Sequence, residues 1–172
     1  MKLLIKPLML LFLFISTVAT SCSGDDDNNQ DQNSSANSFF CKVDGADFNP
    51  QFVSGFNSTI SSNTILINGA NSISATQTTG INIFVPNNIP TGTYSLTPDA
   101  TADYYVYAQY YTPNDEFENT GESATGSLVI TEHNTETKII TGTFNFTTNP
   151  TAATGATYSI TEGTFTIKYS DI

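Results

Sequence analysis

The chain has 172 residues and carries 16 acidic side chains against five lysines, with no arginine and no tryptophan. Two of the lysines lie within the first six residues, so the rest of the chain has a net charge of −13. Binding to nucleic acid requires cations that neutralise phosphates, and an anionic membrane surface repels such a chain, so both partners are excluded.

Residues 1–21 have the layout of a signal peptide. Lys2 and Lys6 define a short positive region, and an uncharged stretch follows over residues 7–18. Twelve helical residues span about 18 Å, which is less than the roughly 30 Å of a bilayer core. The stretch therefore predicts the apolar segment of a signal peptide and not a permanent transmembrane helix.

Small residues at 19–21 lead directly into Cys22. This resembles the bacterial lipobox, in which the cysteine after small residues is acylated, with palmitate among the acyl chains, and becomes the mature N-terminus. Ala19 stands where a leucine is commoner, and ordinary cleavage near Ser21 is the alternative. The resemblance implies a membrane-anchored lipoprotein, because several acyl chains on Cys22 give stable attachment to the bilayer.

Residues 22–37 predict an acidic, disordered tether. After Cys22 the segment contains four Asp, four Asn and two Gln, and Ala36 is its only apolar side chain. Such a segment cannot bury enough apolar area to offset the entropy of ordering. The Asp25–Asp27 run after the cysteine resembles the acidic export tag of surface lipoproteins in the Bacteroidota, which implies an outer-membrane lipoprotein exposed at the cell surface. A plain hydrophilic spacer is the alternative.

Residues 38–172 predict a single all-β domain, because apolar residues alternate with a period of two. Phe144 and Phe146 share one face with Ile140, while the threonines between them share the other. One buried and one solvated face per strand predicts an antiparallel β-sandwich or a small β-barrel of about 8–10 strands. The candidate strands lie near 38–43, 51–56, 64–69, 72–78, 81–86, 92–97, 103–111, 126–133, 138–147 and 156–169, the last with a possible split at Gly163.

Three of these strands share the pattern Gly-Thr-aromatic, at residues 92–94, 142–144 and 163–165. Together with the Val-Asp-Gly turn at 43–45 and the Gly-Ser-Leu-Val-Ile-Thr segment at 126–131, this pattern resembles small lipoprotein domains of unknown function common in Bacteroidota. The motifs are structural, so the resemblance implies no activity and no catalytic residue.

Few residues could carry chemistry. His133 is the only histidine, which is too few for a typical zinc or copper site, and it is predicted to be an exposed residue at a strand end. Cys41 is predicted to be a buried strand cysteine rather than a reactive one. No Gly-x-Ser-x-Gly nucleophile elbow occurs. We therefore expect no enzyme activity, no catalytic residue and no cofactor.

An acidic segment contains Asp115, Glu116 and Glu118, with Glu122 nearby. It is interpreted as a solvated loop. The alternatives are a calcium site, since Ca²⁺ takes oxygen ligands, and a pair of glycosidase carboxylates. The absence of tryptophan, a common sugar platform, disfavours the glycosidase.

The most distinctive segment is tyrosine-rich, at residues 104–111. In a strand, Tyr105, Tyr107 and Tyr111 lie on one face with Gln109, and Tyr110 lies on the opposite, core face. Tyrosine rings on a solvated face stack on sugars or anchor a protein partner, whereas a cross-strand aromatic ladder would only stabilise the sheet.

The sequence therefore predicts a lipid-anchored, non-catalytic binding or accessory module at the cell surface, with a glycan or a protein as its ligand. The alternatives are a structural component of a surface complex and a small barrel that binds an apolar ligand.

Overall fold

The computed structural model describes residues 37–58, 63–74, 77–99, 101–112, 120–152 and 154–172. Within these ranges the chain forms strands and no helix, so the predicted all-β fold is confirmed. The strands are β1 (Ser38–Val43), β2 (Ala46–Phe48), β3 (Phe52–Ser58), β4 (Thr64–Ser72), β5 (Thr78–Pro86), β6 (Gly92–Ser95), β7 (Tyr107–Tyr111), β8 (Thr120–Asn134), β9 (Ile139–Thr148), β10 (Ser159–Lys168) and β11 (Ser170–Asp171).

The described strands form one curled, open sheet in the order β11-β3-β4-β5-β7-β8-β9-β10-β1-β2. β6 pairs with β8 beyond the point where β7 ends. We call β11, β3, β4, β5 and β7 the β4 half, and β9, β10, β1 and β2 the β9 half. Neighbouring strands are antiparallel as predicted, except that β11 runs parallel to β3.

The core lies between the two halves, where the curled sheet faces itself. A Cβ added to Gly55 in β3 would lie 2.5 Å from a methyl carbon of Ile167 in β10. A Cβ added to Gly69 in β4 would lie 2.8 Å from the Phe39 ring in β1. Glycine therefore allows the two halves to approach closely at both positions.

The side chains that the alternation placed inward are buried. Ile140, Phe144 and Phe146 of β9 are at most 3% exposed, and Val106 and Ala108 are equally enclosed. Cys41 is fully buried, as predicted, and its burial raises the pKa of the thiol to about 12. The described part of the chain contains no helix with the length and apolarity that a membrane span requires.

Some predicted strand boundaries are wrong. The candidate strand near 72–78 is not a strand of its own: β4 ends at Ser72, β5 begins at Thr78, and the Ile73 N–H donates to the Gln77 carbonyl at 2.8 Å. The strand predicted from residue 103 begins only at Tyr107. β10 is not split at Gly163; it carries a bulge between Ile160 and Gly163, where Glu162 adopts a φ of 54°.

Candidate functional site

The outer face of the β4 half presents side chains in rows that cross the strands. Because cross-strand partners in antiparallel strands lie side by side, the register places the outward residues of β3, β4, β5 and β7 next to one another. Three rows follow from the register, and we call them the aromatic row, the amide row and the glycine row.

The aromatic row consists of Phe56, Leu66, Phe84 and Tyr107, each the cross-strand partner of the next. The Phe84 and Tyr107 rings stack with centroids 4.4 Å apart and planes 7° from parallel. Tyr105 extends the row, since its ring lies 5.4 Å from that of Tyr107. Tyr105 is 45% exposed and Phe56 37% exposed, so the row opens to solvent at both ends.

The amide row lies one step further along the strands and consists of Ser54, Asn68, Asn82, Gln109 and Glu122. The Asn68 amide nitrogen donates to the Asn82 side-chain oxygen at 2.7 Å, and Gln109 donates to the Glu122 carboxylate at 3.3 Å. A side-chain amide offers two donors and one acceptor oxygen, so these bonds leave further hydrogen-bonding capacity along the row.

The glycine row contains Phe52, Ala70, Gly80 and Tyr111, and ends at Thr120 of β8. A Cβ at Gly80 would collide with the Tyr111 hydroxyl, so the Tyr111 side chain lies down across its cross-strand partner. The Asn68 amide donates to the Tyr111 hydroxyl at 3.3 Å, which ties this ring to the amide row. Phe52, 59% exposed, stands at the other end of the row.

The predicted tyrosine stripe divides into three different environments. Tyr105 is exposed and precedes β7, while Tyr107 and Tyr111 lie in β7 and are half-buried against Phe84 and Gly80. Tyr107 therefore belongs to a cross-strand aromatic ladder, and Tyr111 covers a glycine. Whether the three tyrosines bind a ligand stays a prediction.

Sequence reasoning missed the partners of the stripe. In a strand over 51–56, Phe52 and Phe56 share one face, but only the register shows that this face continues into the tyrosines. Asn68 and Asn82 carried no recognisable motif, because single amides between apolar residues are common on solvated strand faces.

The amide row opens at one end into a surface groove of about 480 Å³. Its walls come from the middle of β7, the start of β8 and the segment after β9, through Gln109, Thr120, Glu122, Asn149, Pro150 and Ala152. The groove thus combines amides, a hydroxyl and one carboxylate. Burial, and then the proximity of Tyr105 and Glu122, raise the pKa of Tyr107, so its phenol stays protonated at neutral pH.

Several predicted residues lie outside the described residues, namely Cys22 and the calcium candidates Asp115, Glu116 and Glu118. Among the residues that are described, no three His, Cys, Asp or Glu side chains cluster closely enough to hold a metal ion.

The prediction that His133 is exposed is wrong. His133 is half-buried near the end of β8, and its Nδ1 lies 2.8 Å from the Ile89 carbonyl oxygen. A carbonyl only accepts, so Nδ1 carries the proton, and Nε2 lies 3.1 Å from the Tyr169 hydroxyl. The imidazole therefore joins the loop before β6 to Tyr169, the residue between β10 and β11. The position of His133 near a strand end does not predict these two contacts.

Comparison with protein-family models matches residues 38–167 to a domain of unknown function (DUF6252). No curated protein and no solved structure was found to match the chain.

Proposed function

Since the chain belongs to the DUF6252 family of domains of unknown function, we propose its role from its own surface: a lipid-anchored, non-catalytic module that binds a glycan at the outside of the cell. Its ligand-binding surface is the outer face of the β4 half. The anchor is Cys22, supported by the signal-like residues before it and the acidic run after it.

The observation that carries the proposal is the amide row lying between two rows that contain aromatic rings. Sugar hydroxyls donate and accept hydrogen bonds, which suits the amides of Asn68, Asn82 and Gln109. The C–H faces of sugars pack on aromatic rings, which suits Tyr105, half-exposed beside Tyr107. Polar groups set among apolar ones are the usual composition of a small-ligand site.

The distribution of exposed apolar side chains also favours this face as the ligand-binding surface. Of the five large hydrophobic side chains exposed in the described part of the chain, Phe52, Phe56 and Tyr105 lie on or beside the three rows. Grouped exposed apolar residues mark binding surfaces, whereas scattered ones need no explanation. A glycan suits the face better than a protein hot spot, because amides separate the rings and the face has no arginine or tryptophan anchor.

The test is calorimetric titration of the purified chain with neutral hexasaccharides of glucose, xylose and mannose. We expect at least one to bind, and Asn82→Ala to weaken its binding about tenfold, because the substitution removes hydrogen bonds at the centre of the amide row. Asn145→Ala is the matched control, since Asn145 is an exposed amide on β9 in the other half. No binding by any hexasaccharide, or equal losses in the two variants, would refute the glycan proposal.

The anchor has a separate test. Cys22→Ser should move the chain from the membrane fraction to the soluble fraction and abolish incorporation of labelled palmitate. Protease added to intact cells should degrade the wild-type domain if it faces outward. Membrane attachment that survives Cys22→Ser, or a protected domain, would contradict the anchor or its exposure respectively.

A further inference from the structure

A second surface lies at β6, whose residues belong to none of the three rows. Among the described strands β6 pairs with β8 alone, so its other side is an open sheet edge. The Leu96 N–H donates to the Gly126 carbonyl of the β8 strand at 3.0 Å. Main-chain groups alternate between the two sides of a strand, so the N–H and C=O groups of Thr93 and Ser95 point away from β8. Both residues are exposed.

The open edge borders a surface groove of about 510 Å³. Thr93 and Ser95 of β6 line it, together with residues that precede β7, namely Asp99, Ala102, Asp103, Tyr104 and Val106. The Tyr94 and Tyr104 rings meet edge to face in the groove, with centroids 5.9 Å apart. The groove therefore offers unpaired main-chain groups along one side and aromatic surface beside them.

Among the described residues, the charged side chains that line the groove are Asp99 and Asp103, both exposed. The Asp99 carboxylate accepts hydrogen bonds from the Thr101 N–H at 2.9 Å and the Thr101 hydroxyl at 2.6 Å, and these bonds lower its pKa, so it is ionised at neutral pH. No lysine from the described part of the chain lines the groove. Lys42 and Lys138 are held elsewhere, by Glu162 and Asp171.

We propose that the β6 edge and its groove bind an extended segment of a partner protein, which adds to the sheet as a strand and carries lysine or arginine side chains at alternate positions. The main-chain groups of Thr93 and Ser95 supply the strand pairing. The two carboxylates and the Tyr94 and Tyr104 rings attract the cationic side chains through charge and cation–π contacts. The β6 edge and the glycan face are separate sites, so either proposal can fail without the other.

The experiment uses a fluorescent peptide with the sequence Lys-Val-Lys-Val-Lys-Val, blocked at both ends, and the purified full chain, with binding followed by fluorescence anisotropy. We expect saturable binding that weakens as salt rises. Thr93→Pro should weaken it at least tenfold, because proline removes the outward N–H, whereas Thr93→Ala should bind like the wild type. Proline is tolerated at such an edge position, and circular dichroism with a thermal melt checks that the variant is folded.

Asp103→Asn, a change at an exposed side chain, is the second variant and should reduce the affinity several-fold without altering the melt. The charge-inverted peptide Glu-Val-Glu-Val-Glu-Val should not bind. Absence of binding by the lysine peptide, equal binding of both peptides, or unchanged affinity in a folded Thr93→Pro or Asp103→Asn variant would overturn the proposal.

Discussion

At the scale of single residues, the Ser123 hydroxyl joins β8 to β7 and to Leu96, the residue after β6. Ser123 is fully buried in β8, between the parts of that strand that pair with β7 and with β6. Its hydroxyl donates to the Leu96 carbonyl at 2.6 Å and accepts from the Ala108 N–H at 3.1 Å. Ser123 thus satisfies two main-chain groups at the place where the register of β8 shifts.

Ser123→Ala should lower the free energy of unfolding by about 1–3 kcal/mol, because two buried main-chain groups lose their partner. Urea denaturation of the two proteins measures the difference. Ser127→Ala, at a half-buried serine of the same strand with no side-chain hydrogen bond among the described residues, should change it by less than about 0.5 kcal/mol. Equal effects in the two variants would show that the bridge contributes nothing.

Cys41 gives a residue-scale prediction of pH dependence. The buried thiol has a pKa of about 12, whereas an unfolded thiol has a pKa near 9, so the folded state holds the proton more tightly. Its contribution to stability is therefore present below pH 9 and is lost as pH rises towards 12.

Between pH 8 and pH 10 the wild type should lose about 1 kcal/mol of unfolding free energy that Cys41→Ala does not lose. The comparison is made by denaturation of both proteins at each pH, so the constant cost of the smaller side chain cancels. Parallel pH profiles would contradict the raised pKa.

At the scale of elements, β11 pairs with β3 at one edge of the sheet and is expected to stabilise it. It pairs in parallel with β3, and its Asp171 carboxylate accepts a hydrogen bond from the Asn57 amide at 2.9 Å and pairs with Lys138. Asn57 is only 9% exposed, so its amide depends on this contact.

Deletion of residues 170–172 should lower the free energy of unfolding by about 1–3 kcal/mol, mainly because the buried Asn57 amide loses its acceptor. A thermal melt or urea denaturation measures the loss. Lys42→Ala, which breaks the exposed pair with Glu162, is the control and should have almost no effect. If the deletion matches the control, β11 does not stabilise β3.

The elements also show how far local pattern predicts this fold. The alternation in 140–146 and 165–169 identified β9 and β10 and their buried faces, because a period of two is a property of neighbouring residues. The three-residue β2 and the parallel β11 were not predicted, since both are defined by their pairing with another strand and not by their own alternation. The separate strand predicted at 72–78 is wrong for the same reason: Ile73 suits a strand, but the pairing of β4 with β5 ends at Ser72 and Thr78.

At the scale of the whole molecule, the candidate site also depends on pairing between strands that local sequence pattern does not predict. The sequence grouped Tyr105, Tyr107 and Tyr111 because they lie close together in the chain. The pairing of β3, β4, β5 and β7 adds Phe56 and Phe84 to them and places the amides between the rings. The register of these four strands determines which side chains are neighbours on this face. The alternation within each strand does not specify that register.

The net charge predicts how the two proposed sites respond to salt. With −13 beyond residue 21 and Glu122 at the end of the amide row, the glycan face should discriminate against anionic sugars. An added carboxylate near Glu122 costs on the order of 1 kcal/mol in water, or about fivefold in affinity. Salt at 1 M reduces the screening length to about 3 Å and should remove most of this difference.

A glucose hexasaccharide and its analogue with one glucuronic acid, titrated at 20 mM and 1 M NaCl, measure this effect. We expect the affinity of the neutral sugar to stay constant and that of the acidic sugar to rise towards it with salt. The lysine peptide should show the opposite trend, because its attraction to Asp99 and Asp103 is screened. Equal affinity of the two sugars at 20 mM NaCl would place the glycan away from Glu122. A peptide affinity that does not change with salt would contradict the role of charge in binding at the β6 edge.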